Sequence, residues 1–195
     1  MTTILDAARS RPMEGGASFP LSHRLLRAAW GVVWGGLGAW TPTPLHGWRR
    51  MLLRLFGAKI DKTAKVYPGV RVWYPPNLTM GPYACLGPRS DCYCMAPVLL
   101  KDYALVSQGA YICAGTHDID DPNFQLQAFP ITLEARAWVA ADAFVGPGVT
   151  VGEGAVLGAR AVTVKPLAPW SVYAGNPARL IRARTSPFAS DTDRP

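Results

Sequence analysis

Residues 137–162 read AWVAADAFVGPGVTVGEGAVLGARAV, and within them a valine or leucine recurs at every sixth position. The same spacing recurs between residues 60 and 157, and a small residue usually stands four positions after each aliphatic one. The register contains fourteen apolar residues: Ile60, Val66, Val72, Met80, Leu86, Cys92, Leu100, Val106, Ile112, Leu133, Val139, Val145, Val151 and Leu157. A period of six fits neither an α-helix nor a β-hairpin, and it predicts a hexapeptide parallel β-helix.

A triangular β-helix explains the residue types in this repeat. Each hexad forms one short strand and one corner, three hexads form one coil, and stacked coils bury each other's aliphatic side chains. A glycine follows the aliphatic residue at five positions: Gly81, Gly87, Gly146, Gly152 and Gly158. We expect these glycines where the backbone needs an unusual φ angle.

The composition limits the classes of protein. The 195 residues include 19 glycines and 18 prolines, well above the average share of roughly 12% for the pair, which argues against long helical bundles. A hydrophobic content of 49% argues against a disordered chain. The net charge of +7 favours an anionic partner: a nucleic acid, an acidic membrane surface or a phosphorylated cofactor.

The cysteines indicate a reducing environment. The sequence has no CxxC pair and no secretory signal at the N-terminus, so we expect a cytoplasmic protein with reduced cysteines. The four cysteines lie close together in the repeat: Cys85, Cys92, Cys94 and Cys113.

Changes in composition and periodicity along the sequence divide the chain into four predicted segments. Residues 1–20 are polar and lack periodicity, and we expect them to be disordered. Residues 21–56 form a helical segment, and residues 57–168 form the β-helix domain. Residues 169–195 are expected to be a basic segment followed by a disordered tail.

The helical segment has two candidate helices. The uncharged stretch of the first, Ala28–Trp40, has 13 residues and is too short to span a bilayer. The second, Leu45–Phe56, is expected to place Trp48, Met51, Leu52 and Leu55 on one apolar face and its arginines elsewhere. We expect the pair to pack over one end of the β-helix. The alternative is a basic amphipathic segment, residues 21–56, that rests on an anionic membrane.

His117 is the candidate catalytic residue. The other two histidines, His23 and His46, lie in the helical segment, whereas His117 stands where the regular repeat breaks. We expect residues 117–130, HDIDDPNFQLQAFP, to form a projecting loop with His117 at its root. A histidine at the lip between a rigid wall and a loop is well placed for proton transfer.

Five stretches resemble a known family: LRLFGAK (53–59), LGPRSDCY (86–93), VSQGAYICAGTHD (106–118), the quoted residues 137–162, and VYAGNPARLI (172–181). They resemble the left-handed β-helix hexapeptide acyltransferases, and in particular the colanic-acid-biosynthesis type of sugar O-acetyltransferase. The resemblance implies a left-handed parallel β-helix, a homotrimer with active sites between subunits, and acetyl-CoA as the co-substrate.

The resemblance also implies roles for individual residues. His117 is expected to be the general base and then the proton donor to the leaving thiolate, in a direct transfer that needs no metal. Trp138 is expected to pack on the pantetheine arm of the coenzyme, beside two small corner residues, Ala141 and Ala159. The coenzyme phosphates are expected to bind Lys165, Arg179 and Arg182. Val164 departs from the family, which commonly has threonine before this lysine.

On the acceptor side, the resemblance implicates Asp91 and Tyr93. Asp118 is a further candidate for contact with the acceptor. We do not expect Asp118 to orient His117, because neighbouring extended residues point to opposite faces.

These observations favour an acetyl-CoA-dependent O-acetyltransferase that acts on a sugar or glycan precursor, in the cytoplasm or at the inner face of the membrane. An amino-sugar N-acetyltransferase or a serine acetyltransferase on the same fold stays open, as does, less favourably, a non-catalytic trimeric scaffold. A γ-type carbonic anhydrase requires three histidines on a metal, and the repeat contains only His117. The basic residues match no nucleic-acid-binding module.

Overall fold

The computed structural model describes residues 4–186 and shows a parallel β-helix with a helical cap at its N-terminal end. The cap contains α2 (Leu21–Val33), a π-helical turn (Trp34–Gly38) and α3 (His46–Leu55). A short helix, α1 (Ala7–Ser10), precedes it. Two 3-10 turns complete the helical elements: Pro12–Glu14 and Pro75–Asn77.

The β-helix has three parallel faces. Face A contains β1 (Lys59–Ile60), β4 (Leu78–Met80), β7 (Val98–Leu100), β12 (Ile131–Leu133) and β15 (Thr150–Val151). Face B contains β2 (Lys65–Val66), β5 (Cys85–Leu86), β8 (Leu105–Val106), β13 (Trp138–Val139), β16 (Val156–Leu157) and β18 (Ser171–Ala174), with β19 (Arg179–Ala183) antiparallel at its end. Face C contains β3 (Arg71–Val72), β6 (Asp91–Tyr93), β9 (Tyr111–Cys113), β14 (Phe144–Val145) and β17 (Val162–Thr163).

The aliphatic register forms the core of this solenoid. All fourteen repeat residues are buried, and Ile60, in the first coil, is the most exposed of them at 6%. Each strand of the first four coils pairs in parallel with its counterpart in the next coil, and on face B the pairing continues to β18. The predicted β-helix is therefore confirmed, because side chains at one position of the repeat stack on each other from coil to coil.

The glycines after the aliphatic residues have a different cause from the expected one. None of the five has a positive φ angle. A Cβ at Gly87 would lie 2.8 Å from the carbonyl oxygen of Val106, and one at Gly152 would lie 2.6 Å from the nitrogen of Pro169. Close stacking of the next coil therefore requires glycine at positions 87 and 152. Positive φ angles occur instead further along the corner, at residues such as Asp142 and Arg160.

Carbonyl groups at the lower side of each coil need donors from the coil below. In the second coil, five such carbonyls accept backbone N–H groups of the first coil, and they belong to Met80, Ala84, Leu86, Ser90 and Cys92. The equivalent carbonyls of the first coil belong to residues 60, 64, 66, 70 and 72, and no coil lies beneath them. This open edge must be closed by other donors.

Side chains of the helical cap supply these donors. From α2 and the π-helical turn, Trp30 Nε1 donates to the carbonyl of Val72 over 2.7 Å, and Trp34 Nε1 donates to that of Val70 over 2.8 Å. From α3, the three arginines donate to the remaining carbonyls: Arg49 to Val66 over 2.7 Å, Arg50 to Ala64 over 2.8 Å, and Arg54 to Ile60 over 2.8 Å. The cap is thus bonded to the open edge at five points.

Closing the edge reverses the expected orientation of α3. Arg49 is fully buried and also donates to the carbonyls of Thr41, Pro42 and Thr43, at 3.0, 3.0 and 2.6 Å. Three members of the predicted apolar face, Trp48, Met51 and Leu55, point to solvent, whereas Leu52 and Leu53 are buried. The expected packing of the helical pair over the end of the β-helix is found, but α3 uses its arginines because the bare coil presents acceptors.

Residues 4–20 were expected to be disordered, and the structure instead gives them a defined path. The N–H of Leu5 donates to the carbonyl of Ser18 over 2.9 Å, and Gln125 bonds both Ala7 and Leu5. Phe19 is buried against His23. Long-range contacts, which leave no periodic pattern, hold this segment. The tail expected to be disordered, residues 187–195, lies outside the described residues.

The cysteines are free thiols, as expected for reduced residues. Cys92 and Cys94 are buried, and Cys85 and Cys113 are half-buried. Burial raises the pKa of Cys85 to about 11. Among residues 4–186, no helix has the length and apolar character needed to cross a membrane.

Replacing Arg49 tests the closing of the open edge. Arg49→Met should lower the free energy of unfolding by roughly 3 kcal/mol or more, because each buried carbonyl left without a donor costs about 1–3 kcal/mol. Trp34→Phe, which removes one donor, should cost about 1–2 kcal/mol. Urea denaturation measures both, with the exposed Arg9→Met as the control. Midpoints for Arg49→Met and Arg9→Met that coincide would contradict the role of Arg49.

Candidate active site

The corner between face C and face A, here the C–A edge, is the irregular edge of the β-helix. Ile60 pairs with Met80, and Met80 with Leu100, so the first coils contain 20 residues, two more than three hexads. The additional residues lie between face C and face A. A longer excursion, residues 114–130, follows β9 at the same edge. The C–A edge is therefore where the chain builds features beyond the repeat.

The excursion is a β-hairpin rather than an irregular loop. β10 (Gly115–His117) pairs antiparallel with β11 (Leu126–Ala128), and His117 lies opposite Leu126. The expected loop, residues 117–130, therefore begins two residues too late. His117 stands at the end of a strand, and this fixes its backbone.

The ring of His117 is held by a single residue of the hairpin. Its Nδ1 lies 2.9 Å from the carbonyl oxygen of Phe124, and its ring stacks on the Phe124 ring at 4.3 Å between centroids. A carbonyl can only accept a hydrogen bond, so Nδ1 carries the proton. In the neutral ring Nε2 is then the unprotonated nitrogen, which can accept a proton.

His117 lines a pocket of about 450 Å³ on the C–A edge. This volume is within the range of roughly 300–1,000 Å³ that is usual for small-molecule sites. Trp73 of the first coil and two residues of the second coil, Tyr93 and Met95, line it together with Leu126 of the hairpin. The pocket thus has one rigid wall made of stacked coils and one made of the hairpin.

The N-terminal segment forms the remaining wall. Residues 15–19 line the pocket, and so do Arg24 and Arg27 of α2. The segment is tied to the hairpin because Gln125 accepts from the N–H of Ala7 over 2.7 Å and donates to the carbonyl of Leu5 over 3.2 Å. A part of the chain expected to be disordered therefore contributes to the candidate site.

Arg24 and Arg27 were not predicted as site residues. Their spacing of three places them on one face of α2, which is visible in the sequence. Only the packing of α2 shows which edge this face meets: the guanidinium of Arg27 lies 4.1 Å from the centre of the Trp73 ring. Burial lowers the pKa of Arg27.

The predicted acceptor residues divide into two groups. Tyr93 lines the pocket, and burial raises its pKa. Asp91 and Asp118 are not among the lining residues. Asp91 pairs with Arg71 on face C, although burial still raises its pKa. Asp118 accepts from Gln127 over 3.3 Å and, as expected, is not bonded to His117.

Most predicted cofactor residues lie elsewhere, on face B and the corner between faces B and C. Trp138 is 40% exposed and donates from Nε1 to the hydroxyl of Ser107 over 2.9 Å. Ala141 and Ala159 stack in one corner column, since the N–H of Arg160 donates to the carbonyl of Ala141 over 2.8 Å. The corner has no bulky side chain at these two positions.

The two predicted phosphate-binding arginines extend the same face. Register pairs connect Trp138 to Val156, Val156 to Val172, and Val172 to Arg182. Three strand spacings separate Trp138 from Arg182, which is roughly 14 Å. Arg179, on the same strand, is exposed like Arg182. An elongated ligand could therefore contact Trp138 and both arginines along face B.

Lys165 is separated from these residues. It follows β17 on face C and so lies on the C–A edge, two coils beyond β9 and the His117 hairpin. Val164 is exposed, and the hydroxyl of Thr163 is bonded to the backbone of Lys165. One chain thus carries His117 and Lys165 on one edge, and the other cofactor candidates across a different face and corner.

In the described part of the chain, no cluster of three or more histidine, cysteine, aspartate or glutamate residues is arranged to hold a metal ion. His23 and His46 have structural positions. His46 Nδ1 donates to the carbonyl of Val66 over 2.8 Å and contributes to closing the open edge. His23 is packed among Phe19, Trp73 and Tyr74, at ring distances of 4.5, 5.2 and 4.2 Å.

The chain has relatives with acetyltransferase names. It is 42% identical over 155 residues to a protein of Escherichia coli strain K12 named as colanic acid biosynthesis acetyltransferase WcaF, covering 80% of this chain and 85% of the relative. It is 27% identical over 137 residues to galactoside O-acetyltransferase of the same strain, covering 69% and 68%. No protein-family model matches the chain.

Solved structures share the fold. The hexapeptide-repeat acetyltransferase VCA0836 of Vibrio cholerae, complexed with acetyl coenzyme A, superposes with a TM-score of 0.74 at 19% identity, covering 93% of this chain and all of that one. A maltose O-acetyltransferase of Clostridium difficile 630 gives a TM-score of 0.72 at 20% identity, covering 85% and 88%.

His23 should make stability depend on pH. Burial, and then the charge of Arg27, lower its pKa below the ordinary 6.5. The unfolded chain therefore takes up the proton first, and the free energy of unfolding should fall as the pH drops below about 6.5. His23→Phe should flatten this dependence, because phenylalanine fits among the rings without titrating. Urea midpoints from about pH 7.5 to about pH 5.5 measure the difference.

The wild type serves as the reference, because His46 and the carboxylates contribute equally to both proteins. Parallel curves for wild type and His23→Phe would exclude His23 as a source of the pH dependence.

Proposed function

Because the chain belongs to the hexapeptide-repeat acetyltransferases of the colanic acid biosynthesis type, we propose that it transfers acetyl from acetyl-CoA to a hydroxyl of a sugar or glycan precursor. The hydrogen bond from Nδ1 of His117 to the carbonyl of Phe124 carries this proposal. It presents Nε2 as a base in a pocket large enough for a sugar. The solved complex of a structural neighbour with acetyl coenzyme A supports the co-substrate.

The reaction proceeds by direct transfer. As the acceptor hydroxyl attacks the thioester carbonyl, Nε2 of His117 takes the hydroxyl proton, because an alcohol is too weakly acidic to attack without a base. The tetrahedral intermediate then breaks its C–S bond, and His117 returns the proton to the departing thiolate. A backbone N–H of a neighbouring coil would stabilise the oxyanion. Imidazole suits both steps because it exchanges a proton near neutral pH.

The active site combines two subunits of a homotrimer. Trp138, Arg179 and Arg182 lie along face B, whereas His117 and Lys165 lie on the C–A edge of the same chain. Bringing face B of one subunit against the C–A edge of the next unites the two sets. Trp138 then packs on the pantetheine arm beside Ala141 and Ala159, and the cations bind the phosphates.

The helical cap rests on an anionic membrane surface, which places the enzyme at the inner face of the membrane. The outward side of the cap carries exposed apolar residues around a shallow hollow of about 350 Å³ lined by Leu37, Trp40, Thr41, Leu45 and Trp48. Residues 21–56 contain five arginines and no acidic residue, so the cap as a whole is positively charged, although its arginines bond the open edge or line the pocket of His117. The exposed tryptophans make the contact with the lipid interface, and the net charge of the cap attracts anionic lipid.

Replacing His117 tests the catalytic proposal. His117→Ala should lower kcat by about 10²- to 10⁴-fold, the usual contribution of a general base, with little change in the KM for acetyl-CoA. Thiol release in the presence of an acceptor measures both constants. Phe124→Leu is the matched control, because it removes the stacked ring but keeps the carbonyl that orients Nδ1. Near-normal turnover by a folded His117→Ala protein would sink the mechanism.

Flotation with lipid vesicles tests the membrane contact. The protein should float with vesicles that contain phosphatidylglycerol and should float less with pure phosphatidylcholine, because the cap is basic. Replacing Leu37 and Trp40 by glutamine should abolish flotation, whereas Met13→Gln, at an exposed site outside the cap, should not. Equal flotation of all variants would contradict the assigned surface.

A further inference from the structure

The pocket of His117 carries a charge that a neutral sugar does not require. Arg24 and Arg27 line it, and its lining includes no carboxylate. Neither arginine forms an ion pair within the described range of residues 4–186. Two positive charges therefore line the same pocket as the candidate base.

Arg27 is held in place without a compensating anion. It is half-buried, and its guanidinium stacks on Trp73 at 4.1 Å. Loss of solvent lowers its pKa, and only the Tyr93 hydroxyl acts in the opposite direction. A partly desolvated cation of this kind gains stability when an anion binds. Guanidinium groups match phosphate oxygens in a two-pronged geometry.

We propose that the acceptor is a glycosyl phosphate or diphosphate. Its phosphate binds Arg24 and Arg27, and its sugar places a hydroxyl at Nε2 of His117. The inference rests on the proposed function, since it names the substrate class of the same site. Trp73 and Tyr93 lie between the arginines and the hairpin as the wall that the sugar contacts.

The phosphates of the coenzyme are assigned to other residues. The candidate cations Arg179 and Arg182 belong to β19, at the end of face B. Arg24 and Arg27 belong to α2, at the C–A edge and at the cap end of the β-helix. An acceptor phosphate therefore has its own site, separate from that of the coenzyme.

Two kinds of molecule present this chemistry: a nucleoside diphosphate sugar, and a sugar joined through diphosphate to a polyprenyl lipid. The test follows thiol release from acetyl-CoA with the same hexoses, galactose, glucose and fucose, in four forms. They are supplied free, as 1-phosphates, as nucleoside diphosphate sugars and as polyprenyl diphosphate sugars in detergent. The form with the lowest KM identifies the source.

A phosphorylated form should have a KM at least roughly tenfold below that of the free sugar, which corresponds to about 1.4 kcal/mol. Arg24→Gln should remove most of this preference and leave the KM for acetyl-CoA unchanged. Arg27→Lys should weaken it as well, because lysine lacks the planar fork. Lys62→Gln, which removes an exposed cation at the corner between faces A and B, is the control and should have no effect.

Equal KM values for free and phosphorylated sugars would overturn the inference and leave the proposed function standing. A rise in the KM for acetyl-CoA in Arg24→Gln would also overturn it, because the arginines would then serve the coenzyme. If no sugar is acetylated, calorimetric titration with glucose 1-phosphate decides. If glucose 1-phosphate binds and Arg24→Gln weakens the binding, the anion site is supported although the proposed function fails. If glucose 1-phosphate does not bind, or binds equally to Arg24→Gln, the anion site is rejected.

Discussion

The open edge of the first coil is the constraint on which the rest of the structure depends. A parallel β-helix leaves carbonyls unpaired at this edge, and each one that is buried without a donor is costly. Trp30, Trp34 and the three arginines of α3 bond them. The attachment fixes α2 next to Trp73, and it thereby places Arg24 and Arg27 in the pocket of His117. The contacts that close the open edge therefore also position residues of the candidate site.

The repeat could be predicted from the sequence because each position of a hexad meets the same surroundings in every coil. The cap could not be predicted to the same extent. An amphipathic pattern indicates which side chains prefer apolar contact, and it predicted Trp48, Met51 and Leu55 as the packed face of α3. The surface they would meet is a row of carbonyls, so buried Arg49 takes their place. The orientation of α3 depends on the surface against which it packs, and that surface exists only once the coils have stacked.

The site shows the same division. His117 could be identified because the repeat breaks beside it, and a break in a rigid solenoid marks a projecting element. Its tautomer depends on the carbonyl of Phe124, across the hairpin, and no spacing in the sequence indicates that contact. The pocket wall formed by residues 15–19 depends on bonds from Gln125 to Leu5 and Ala7, between segments far apart in the chain. Contacts of this kind involve individual residues, and they produce no repeating pattern in the sequence from which they could be predicted.

The proposed active site between subunits rests on the separation of His117 from Trp138, Arg179 and Arg182 within one chain. Mixed trimers test this most directly. One subunit carries His117→Ala, and the other carries Trp138→Ala with Arg179→Gln and Arg182→Gln; each is inactive alone. The two variants are coexpressed, and the mixed trimers are purified. These trimers should show acetyl transfer well above that of either parent, because some interfaces then combine an intact His117 with an intact face B. Mixed trimers no more active than their parents would contradict the shared site.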